Sequence, residues 1–169
     1  MVSKVTASDN VSVVPAAQSD LNDILSLLLR LKRFNSEFGC YCIVSEDDPE
    51  EIKRYTSSII DDGKHIILLA KDRGKTVGLI LADVLYRIYY SPKYEARIRD
   101  IYVLPEYRMR GIGQKLIEEL MNVASKRNIG LVTTEFPSDN LVAVNFFSKI
   151  GYSQMVSIWG VPVQQSLEP

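Results

Sequence analysis

The stretch "YRMRGIGQKL", residues 107–116, places two glycines one residue apart beside two arginines, directly before a run with helical periodicity. The first amides of a helix have no partner within the helix, and the helix dipole adds partial positive charge there. Glycine lets the backbone approach a phosphate closely, and arginine adds guanidinium donors. The stretch therefore predicts a site for an anion such as a pyrophosphate, at Arg108, Arg110, Gly111 and Gly113.

The spacing of this glycine loop argues against two common pyrophosphate sites. A P-loop requires Lys and then Ser or Thr after its last glycine, whereas Gln114 follows Gly113 here. A dinucleotide-binding fingerprint requires a third small residue near position 116, which is Leu116, and it usually follows the first strand of a chain. A turn that only connects a strand to a helix is the alternative without a ligand.

The composition is that of an ordinary globular protein. The 169 residues are 46% hydrophobic and 24% charged, and 20 basic residues nearly balance 21 acidic ones. We therefore expect a single domain over residues 1–169 and no binding of nucleic acid or membrane through overall charge. The first residues lack the apolar core of a signal peptide, and no apolar run reaches the ~18 residues of a membrane span, so we expect a cytoplasmic protein.

The two cysteines, Cys40 and Cys42, do not indicate a disulfide framework or a metal site. They lie too close in sequence to join distant parts of a fold, and neither a second pair nor a neighbouring histidine accompanies them. We expect reduced thiols with a structural role and no bound metal.

The hydrophobic pattern predicts ten elements in the order β-α-α-β-β-β-α-β-α-β. Two strand-like runs around "DRGK" predict a hairpin, and a tyrosine-rich connection leads from it to a strand at 96–103. The glycine loop opens a helix, which a strand at 131–136 and a short helix follow. A final strand is predicted in "QMVSIWGVPV", residues 154–163. This order predicts a mixed α/β sheet with helices on its faces.

Two segments of the chain resemble the signatures of the GCN5-related N-acetyltransferase superfamily. In "IYVLPEYRMRGIGQKLIEEL", residues 101–120, Arg108, Gly111 and Gly113 match the family's motif A. In "NLVAVNFFSKIGY", residues 140–152, the family's second signature is matched by Asn140, Ala143, Phe146, Gly151 and Tyr152. The resemblance covers residues 11 to about 160, and it implies that the ligand is acetyl-CoA.

The resemblance implies an acyl-CoA N-acyltransferase fold, which is a mostly antiparallel sheet with helices on both faces. Its two central parallel strands, here 96–103 and 131–136, are expected to splay apart so that the cofactor's pantetheine pairs with exposed strand amides. Val103 is expected where the family's strand bulges. The implied cofactor-binding residues are Ile101, Tyr102, Val103, Arg108, Met109, Arg110, Gly111, Ile112, Gly113, Gln114, Asn140 and Phe147. For Asn140, an ordinary helix N-cap is the alternative.

Acetyl transfer to an amine requires a base, because the amine must be neutral when it attacks the thioester. Glu135 lies five residues before Asn140, and this spacing resembles that of the catalytic glutamate in the family's ribosomal-protein alanine N-acetyltransferases. A solvated strand end is the alternative for Glu135. Asp100 and Tyr102 alternate onto one strand face and are the reserve candidates.

The general acid is the point where this chain departs from the family. The usual acid is a tyrosine seven residues after the asparagine, and this chain has Phe147 there. The thiolate then leaves with help from water, Tyr152 replaces the missing hydroxyl, or the reaction is slow. Packing of Tyr152 in the core is the alternative.

The sequence leaves the acceptor open. Five tyrosines around the connection between strands either line the acceptor groove or form an aromatic hairpin edge or a dimer contact: Tyr86, Tyr89, Tyr90, Tyr94 and Tyr102. Three arginines and a lysine make the same region locally basic: Arg87, Lys93, Arg97 and Arg99. A solvated face is the default interpretation of these charges, and they give weak support to an acceptor with acidic groups.

The predicted activity is direct acetyl transfer, in a ternary complex, to the primary amine of a protein N-terminus, a lysine or a small molecule. A non-catalytic acyl-CoA-binding module or sensor is the main alternative, and a nucleotide-binding interaction domain is a second one.

Overall fold

The computed structural model describes residues 10–39, 44 and 48–161. The chain divides into two compact units, residues 1–137 and residues 138–169. A single domain over the whole chain stays a prediction. Cys40 and Cys42 lie outside the described residues, as does the expectation about their thiols.

The described part of the first unit contains five strands and three α-helices. The strands β1 to β5 are Val11–Pro15, His65–Asp72, Lys75–Tyr86, Tyr94–Val103 and Leu131–Thr134. The helices α1 to α3 are Leu21–Asn35, Pro49–Ile59 and Ile112–Lys126. No helix in the described part of the chain combines the length and apolar composition that crossing a bilayer requires.

The five strands form one mixed sheet with the order β1-β2-β3-β4-β5. Each neighbouring pair from β1 to β4 is antiparallel, and β5 runs parallel to β4. The hairpin predicted at "DRGK" is confirmed, since β2 and β3 pair through a turn in which Arg73 and Gly74 both have positive φ. Such a turn matches the twist of the strands that it joins.

Helices cover both faces of the sheet, as predicted. The Lys32 ammonium of α1 bonds to Asp100 of β4, so α1 packs on the Asp100 face. Gly78 of β3 faces α3, because a Cβ added to it would lie 3.5 Å from a methyl carbon of Leu116. Leu81 pairs with Asp100 and lies three residues after Gly78, which places Gly78 on the opposite face.

The described part of the second unit contains one helix, α4, at Leu141–Lys149. The helix begins after Asn140, whose side-chain oxygen accepts the main-chain N–H of Ala143 across 3.1 Å. This bond satisfies one of the amides that a helix leaves open at its start. Gly151, with φ of 94°, provides the left-handed residue after the helix end.

The prediction of a final strand at 154–163 is wrong for its described part, residues 154–161, which forms no strand. The apolar side chains of this run are exposed, from 63% at Met155 to 92% at Trp159. A β-prone sequence forms a strand only where a partner strand and a half-buried face receive it. The pattern alone therefore did not determine the outcome.

Candidate functional site

The parallel strands β4 and β5 separate partway along β4. Their pairing covers Glu95–Ile98 opposite Leu131–Thr134, and the N–H of Glu135 adds one bond to the carbonyl of Ile98 at 3.1 Å. Within the described residues, Asp100–Val103 pair only with β3, and Arg99 pairs with neither neighbouring strand. At about 3.3 Å per residue, this leaves roughly 16 Å of strand edge open. The edge lies where the gap between 96–103 and 131–136 was predicted.

The bulge of β4 lies at Arg99, so the prediction of a bulge at Val103 is wrong. Leu81 of β3 faces Asp100 and the next residue, Ala82, faces Ile98, so Arg99 is the extra residue. Val103 pairs regularly with Gly78. A bulge is a property of the register between two strands, and the sequence of one strand does not carry it. The bulge coincides with the point at which β5 leaves β4.

The glycine loop connects the open end of β4 to the first turn of α3. A short 3-10 turn, Pro105–Tyr107, leads into it, and Met109 and Gly111 have φ of 60° and 76°. The N–H of Lys115 donates to the carbonyl of Gly111 at 3.0 Å. The three amides before Lys115, those of Ile112, Gly113 and Gln114, have no acceptor within the helix.

The first turn of α3 favours an anion. It carries no acidic side chain, and Gly111, at the N-cap, has no side chain with which to satisfy the open amides. The partial positive charge of a helix start is therefore not neutralised from within the first turn.

Both arginines of the loop lie against tyrosine rings. Arg108 donates through Nε to the carbonyl of Val103 at 3.0 Å, and its guanidinium lies 5.4 Å from the ring centre of Tyr102. Arg110 lies 5.2 Å from the ring centre of Tyr107, which Lys75 of β3 also approaches at 5.6 Å. Tyr107 and Lys75 were not among the predicted site residues. Tyr107 could have been predicted because it adjoins the arginines of the loop. Lys75 lies 32 positions before Tyr107, and no neighbouring motif indicates its role.

Asp100 is a buried carboxylate held by an ion pair. Its side chain is 2% exposed and accepts the Lys32 ammonium of α1. The guanidinium of Arg99 lies 3.9 Å away. Tyr102 follows on the same strand face, as predicted. Sequence reasoning missed Lys32, because 68 positions separate it from its partner.

The bulged Arg99 is held as a fixed cation. Its two terminal nitrogens each donate to the hydroxyl of Tyr55 in α2 at 3.2 Å, and one lies 3.5 Å from Asp83. Burial acts to lower the pKa of Arg99, but the bond to Tyr55 and the charges of Asp83 and Asp100 outweigh it and raise the pKa. Tyr55 and Asp83 come from separate elements, and sequence reasoning did not find them.

Glu135 lies at the end of β5, beside the strand separation. Its residue is exposed, and its main chain is fixed by the bond to Ile98. Solvent can therefore reach this residue. Whether it acts on a substrate stays a prediction.

In the second unit, the structure brings Phe147 and Tyr152 together. Their ring centres are 5.1 Å apart, and Phe147 is buried at 4% exposure. The hydroxyl oxygen of Tyr152 is buried and has no hydrogen-bond partner among the described residues. Burial raises the pKa of Tyr152, so its hydroxyl keeps its proton at neutral pH. The cofactor contacts predicted for Asn140 and Phe147 stay predictions.

No group of three or more His, Cys, Asp or Glu side chains that could hold a metal ion occurs in the described ranges 10–39 and 48–161 or at residue 44. The anion-favouring loop, the open strand edge and Glu135 form the candidate site of the first unit.

Two archaeal proteins are similar to this chain in sequence. An uncharacterised N-acetyltransferase of Methanocaldococcus jannaschii is 30% identical over 143 residues, which cover 85% of this chain and 61% of that protein. An uncharacterised N-acetyltransferase of Archaeoglobus fulgidus is 31% identical over 78 residues, 46% of this chain and 53% of that protein. The chain therefore spans between about half and three fifths of the length of these relatives.

A solved structure has the same fold. It is a predicted acetyltransferase from Clostridium acetobutylicum, solved with acetyl-CoA, and it matches with a TM-score of 0.73 at 15% identity over 90% of this chain and 96% of its own. The model of the acetyltransferase (GNAT) family matches residues 30–152, which include the glycine loop and α4. The chain therefore belongs to the acetyltransferase (GNAT) family.

Proposed function

We propose that this protein is an acetyl-CoA-dependent N-acetyltransferase that transfers an acetyl group to a primary amine by direct attack in a ternary complex. One observation carries the proposal: the open edge of β4, Arg99–Val103, continues directly into the loop whose free amides begin α3. Family membership and a structural neighbour solved with acetyl-CoA support it.

The residues present fit acetyl-CoA. The open edge of β4 offers main-chain groups that can pair with the amides of pantetheine, as an added strand would. The amides of 112–114, the positive φ of Gly111 and the absence of an acid from the first turn suit the pyrophosphate. Arg108 and Arg110 add positive charge at the same loop. Bound there, acetyl-CoA would supply the activated acetyl thioester.

The remaining cofactor contacts are proposed from the family resemblance. Ile101, Tyr102 and Val103 belong to the open edge, and Met109 to Gln114 belong to the loop and the first turn of α3. Asn140 is proposed to approach the pantetheine end while it also caps α4. Phe147 is proposed to lie beside the cofactor sulfur.

Glu135 is the proposed base, acting directly or through water. Its carboxylate is exposed, so it can pass a proton to solvent after accepting one from the ammonium form of the acceptor. Asp100 is the weaker candidate, because its side chain is 2% exposed and already accepts the Lys32 ammonium.

Tyr152 is the proposed proton donor to the departing thiolate. It carries a buried hydroxyl that stays protonated at neutral pH, and its ring contacts Phe147, which holds the family's usual acid position. The thiol of CoA resembles that of free cysteine, whose pKa is about 8.5, so the CoA thiolate needs little help to leave near neutral pH. The reaction can therefore proceed with Tyr152 or with water in this role.

Phe147 favours one other function, a non-catalytic acyl-CoA-binding module. The deciding experiment measures thermal stability with CoA, acetyl-CoA, ATP and NAD, together with CoA release from acetyl-CoA over a panel of peptides and small amines. Stabilisation by CoA and acetyl-CoA with turnover of at least one amine is expected, because a ligand selective for the folded state stabilises it. Binding without turnover on any amine would support the sensor. Preference for ATP or NAD would support a nucleotide-binding domain.

The acceptor is proposed to be the primary amine of a protein N-terminus, a lysine or a small molecule. Cytoplasmic localisation and a homodimer stay predictions.

A further inference from the structure

The tip of the β3–β4 hairpin, residues 86–94, carries a cluster of exposed apolar side chains. Five large residues out of nine are between 44% and 88% exposed: Tyr86, Ile88, Tyr89, Tyr90 and Tyr94. Single exposed apolar residues are normal on a protein surface, but a contiguous group marks an interaction site. Tyrosine is also enriched among the residues that contribute most to binding at interfaces.

Internal hydrogen bonds hold the hairpin tip in one conformation. The N–H of Arg87 donates to the carbonyl of Lys93 at 2.8 Å, and the N–H of Tyr90 donates to the carbonyl of Arg87 at 3.0 Å. The Lys93 ammonium donates to the carbonyl of Ile88 at 2.7 Å, and the Arg87 guanidinium donates to that of Pro92 at 3.2 Å. The apolar side chains are therefore displayed on an ordered frame.

A buried carboxylate anchors the hairpin tip to the sheet. Glu95, 5% exposed, accepts the Thr133 hydroxyl of β5 at 2.5 Å and Nε of Arg97 at 3.0 Å, and Nε of Arg87 lies 3.4 Å away. At the start of β5, Gly130 lies so close to Pro92 that an added Cβ would be 2.6 Å from the ring. A surface that is already ordered loses less entropy when a partner binds.

The charge of the hairpin tip selects the partner. The tip, residues 86–94, contains Arg87 and Lys93 and no acidic residue, which gives it a net charge of +2. Charge complementarity favours an acidic partner. A symmetric contact between two copies would place the same positive patch against itself. A single-stranded nucleic acid needs a groove of cations along its backbone, whereas the tip carries two cations, Arg87 and Lys93.

We propose that the hairpin tip docks an acidic polypeptide segment with apolar side chains, and, resting on the proposed function, that this segment belongs to the acetyl acceptor. Tyr94 and Arg99 are five residues apart on β4, roughly 16 Å along the strand. A polypeptide held at the tip can therefore present an amine at the strand separation about five extended residues away. The acceptor is accordingly a polypeptide that carries acidic residues beside its apolar ones.

The binding test uses the full chain and three labelled peptides of about twelve residues, built from Glu, Leu and Gly, from Glu, Ser and Gly, or from Lys, Leu and Gly. Fluorescence anisotropy should give the lowest Kd for the first peptide. Ile88→Ser combined with Tyr89→Ser should raise the Kd of the first peptide at least roughly tenfold. Met121→Ala, which removes a half-exposed side chain from α3, is the matched control and should leave the Kd unchanged. Thermal unfolding checks that each variant is folded.

The charge arm uses Lys93→Glu, which should weaken binding of the first peptide and flatten its dependence on salt. Equal binding of all three peptides, or no effect of the tip substitutions in folded variants, would overturn the proposal. If the protein forms a dimer and the tip substitutions dissociate it, the surface binds a second copy of the chain. If an oligouridine binds more tightly than the first peptide, the surface binds nucleic acid. Either outcome also overturns the proposal.

The activity arm separates this proposal from the proposed function. With acetyl-CoA, the tip double variant should raise KM for an acidic, apolar peptide amine about tenfold, while kcat and KM for a small amine change by less than about twofold. Unchanged KM for the peptide would remove the acceptor role. No CoA release from any amine, with peptide binding intact, would count against the acetyltransferase and not against the docking surface.

Discussion

The main-chain N–H of Glu135 donates a hydrogen bond to the carbonyl oxygen of Ile98 across 3.1 Å. This bond follows the last paired position of β4 and β5, Ile98 opposite Thr134. The next residue of β4 is the bulged Arg99, from which the edge of β4 is open. The bond therefore fixes the backbone of an exposed carboxylate at the point where the two strands separate.

Glu135→Gln should lower kcat by roughly 10²–10⁴-fold, because the amide keeps the shape of the side chain and accepts no proton. The Kd for acetyl-CoA should stay nearly unchanged. Steady-state CoA release across pH, with binding measured in parallel, checks this. Glu50→Gln, an exposed glutamate in the first turn of α2, is the control. A loss below about threefold at every pH would point to Asp100 or to water as the base.

Gly113→Asp should weaken binding of CoA and acetyl-CoA, because it places a negative charge among the free amides at the start of α3. The same charge favours the helix, so the fold should survive and the loss can be assigned to the ligand. Calorimetric titration measures the Kd, and Gly113→Asn separates the effect of bulk from that of charge. If the folded Asp variant binds CoA with the affinity of the wild type, the loop is not part of the CoA site.

Tyr152→Phe should lower kcat while it leaves the stability of the fold equal or higher. The hydroxyl is buried without a partner among the described residues, and an unsatisfied buried polar group costs about 1–3 kcal/mol. Removing it should therefore not destabilise the protein, whereas the loss of a proton donor should reduce turnover. Urea unfolding and CoA release measured on the same samples test both effects. A more stable variant with unchanged kcat would show that Tyr152 only packs against Phe147.

Phe147→Tyr adds one hydroxyl where the family usually has its acid. Turnover should rise modestly, or stay unchanged if deprotonation of the amine limits the rate, and CoA affinity should be retained. Steady-state CoA release over the amine panel, with Kd measured in parallel, distinguishes these results. Because Phe147 is buried, a loss of CoA binding would mean that no hydroxyl fits there and that the family's acid position does not apply to this chain.

Asp20→Asn should lower the free energy of unfolding by about 1–3 kcal/mol at pH 7, because the Asp20 carboxylate accepts charge-assisted hydrogen bonds. It accepts the Lys71 ammonium at 2.6 Å and the N–H of Ala17 at 3.0 Å. The bond from Lys71 lowers the pKa of Asp20 against the opposing effect of burial, and the bond from Ala17 adds to it. The stabilisation is therefore complete above the ordinary pKa of 3.8 and disappears as pH falls through the lower folded value.

Urea unfolding of wild type and Asp20→Asn at pH 7 and near pH 2 checks this prediction. The difference between the two proteins should shrink at the lower pH, since the wild-type carboxyl then becomes protonated. A difference that is the same at both pH values would contradict the assignment of the effect to charge.

The sequence by itself determined the elements whose signals are local. Helical periodicity, the turn residues Arg73 and Gly74, and the glycine loop before α3 each depend on residues within a few positions of one another, and the structure confirms the mixed sheet that they predict. The two segments that resemble family signatures are likewise short, and the family model that matches residues 30–152 confirms the family they indicate.

Tertiary structure alone decided the features that depend on distant partners. The bulge lies at Arg99 and not at Val103, because its position depends on the register of β4 against β3. Residues 154–161 form no strand despite their β-prone sequence. The buried carboxylate of Asp100 forms an ion pair only because α1 brings the partly exposed Lys32 over β4. A carboxylate in sequence is a candidate base, and its three-dimensional neighbours decide whether it is free to take a proton, because electrostatic interactions depend on distance and burial rather than on order in the chain.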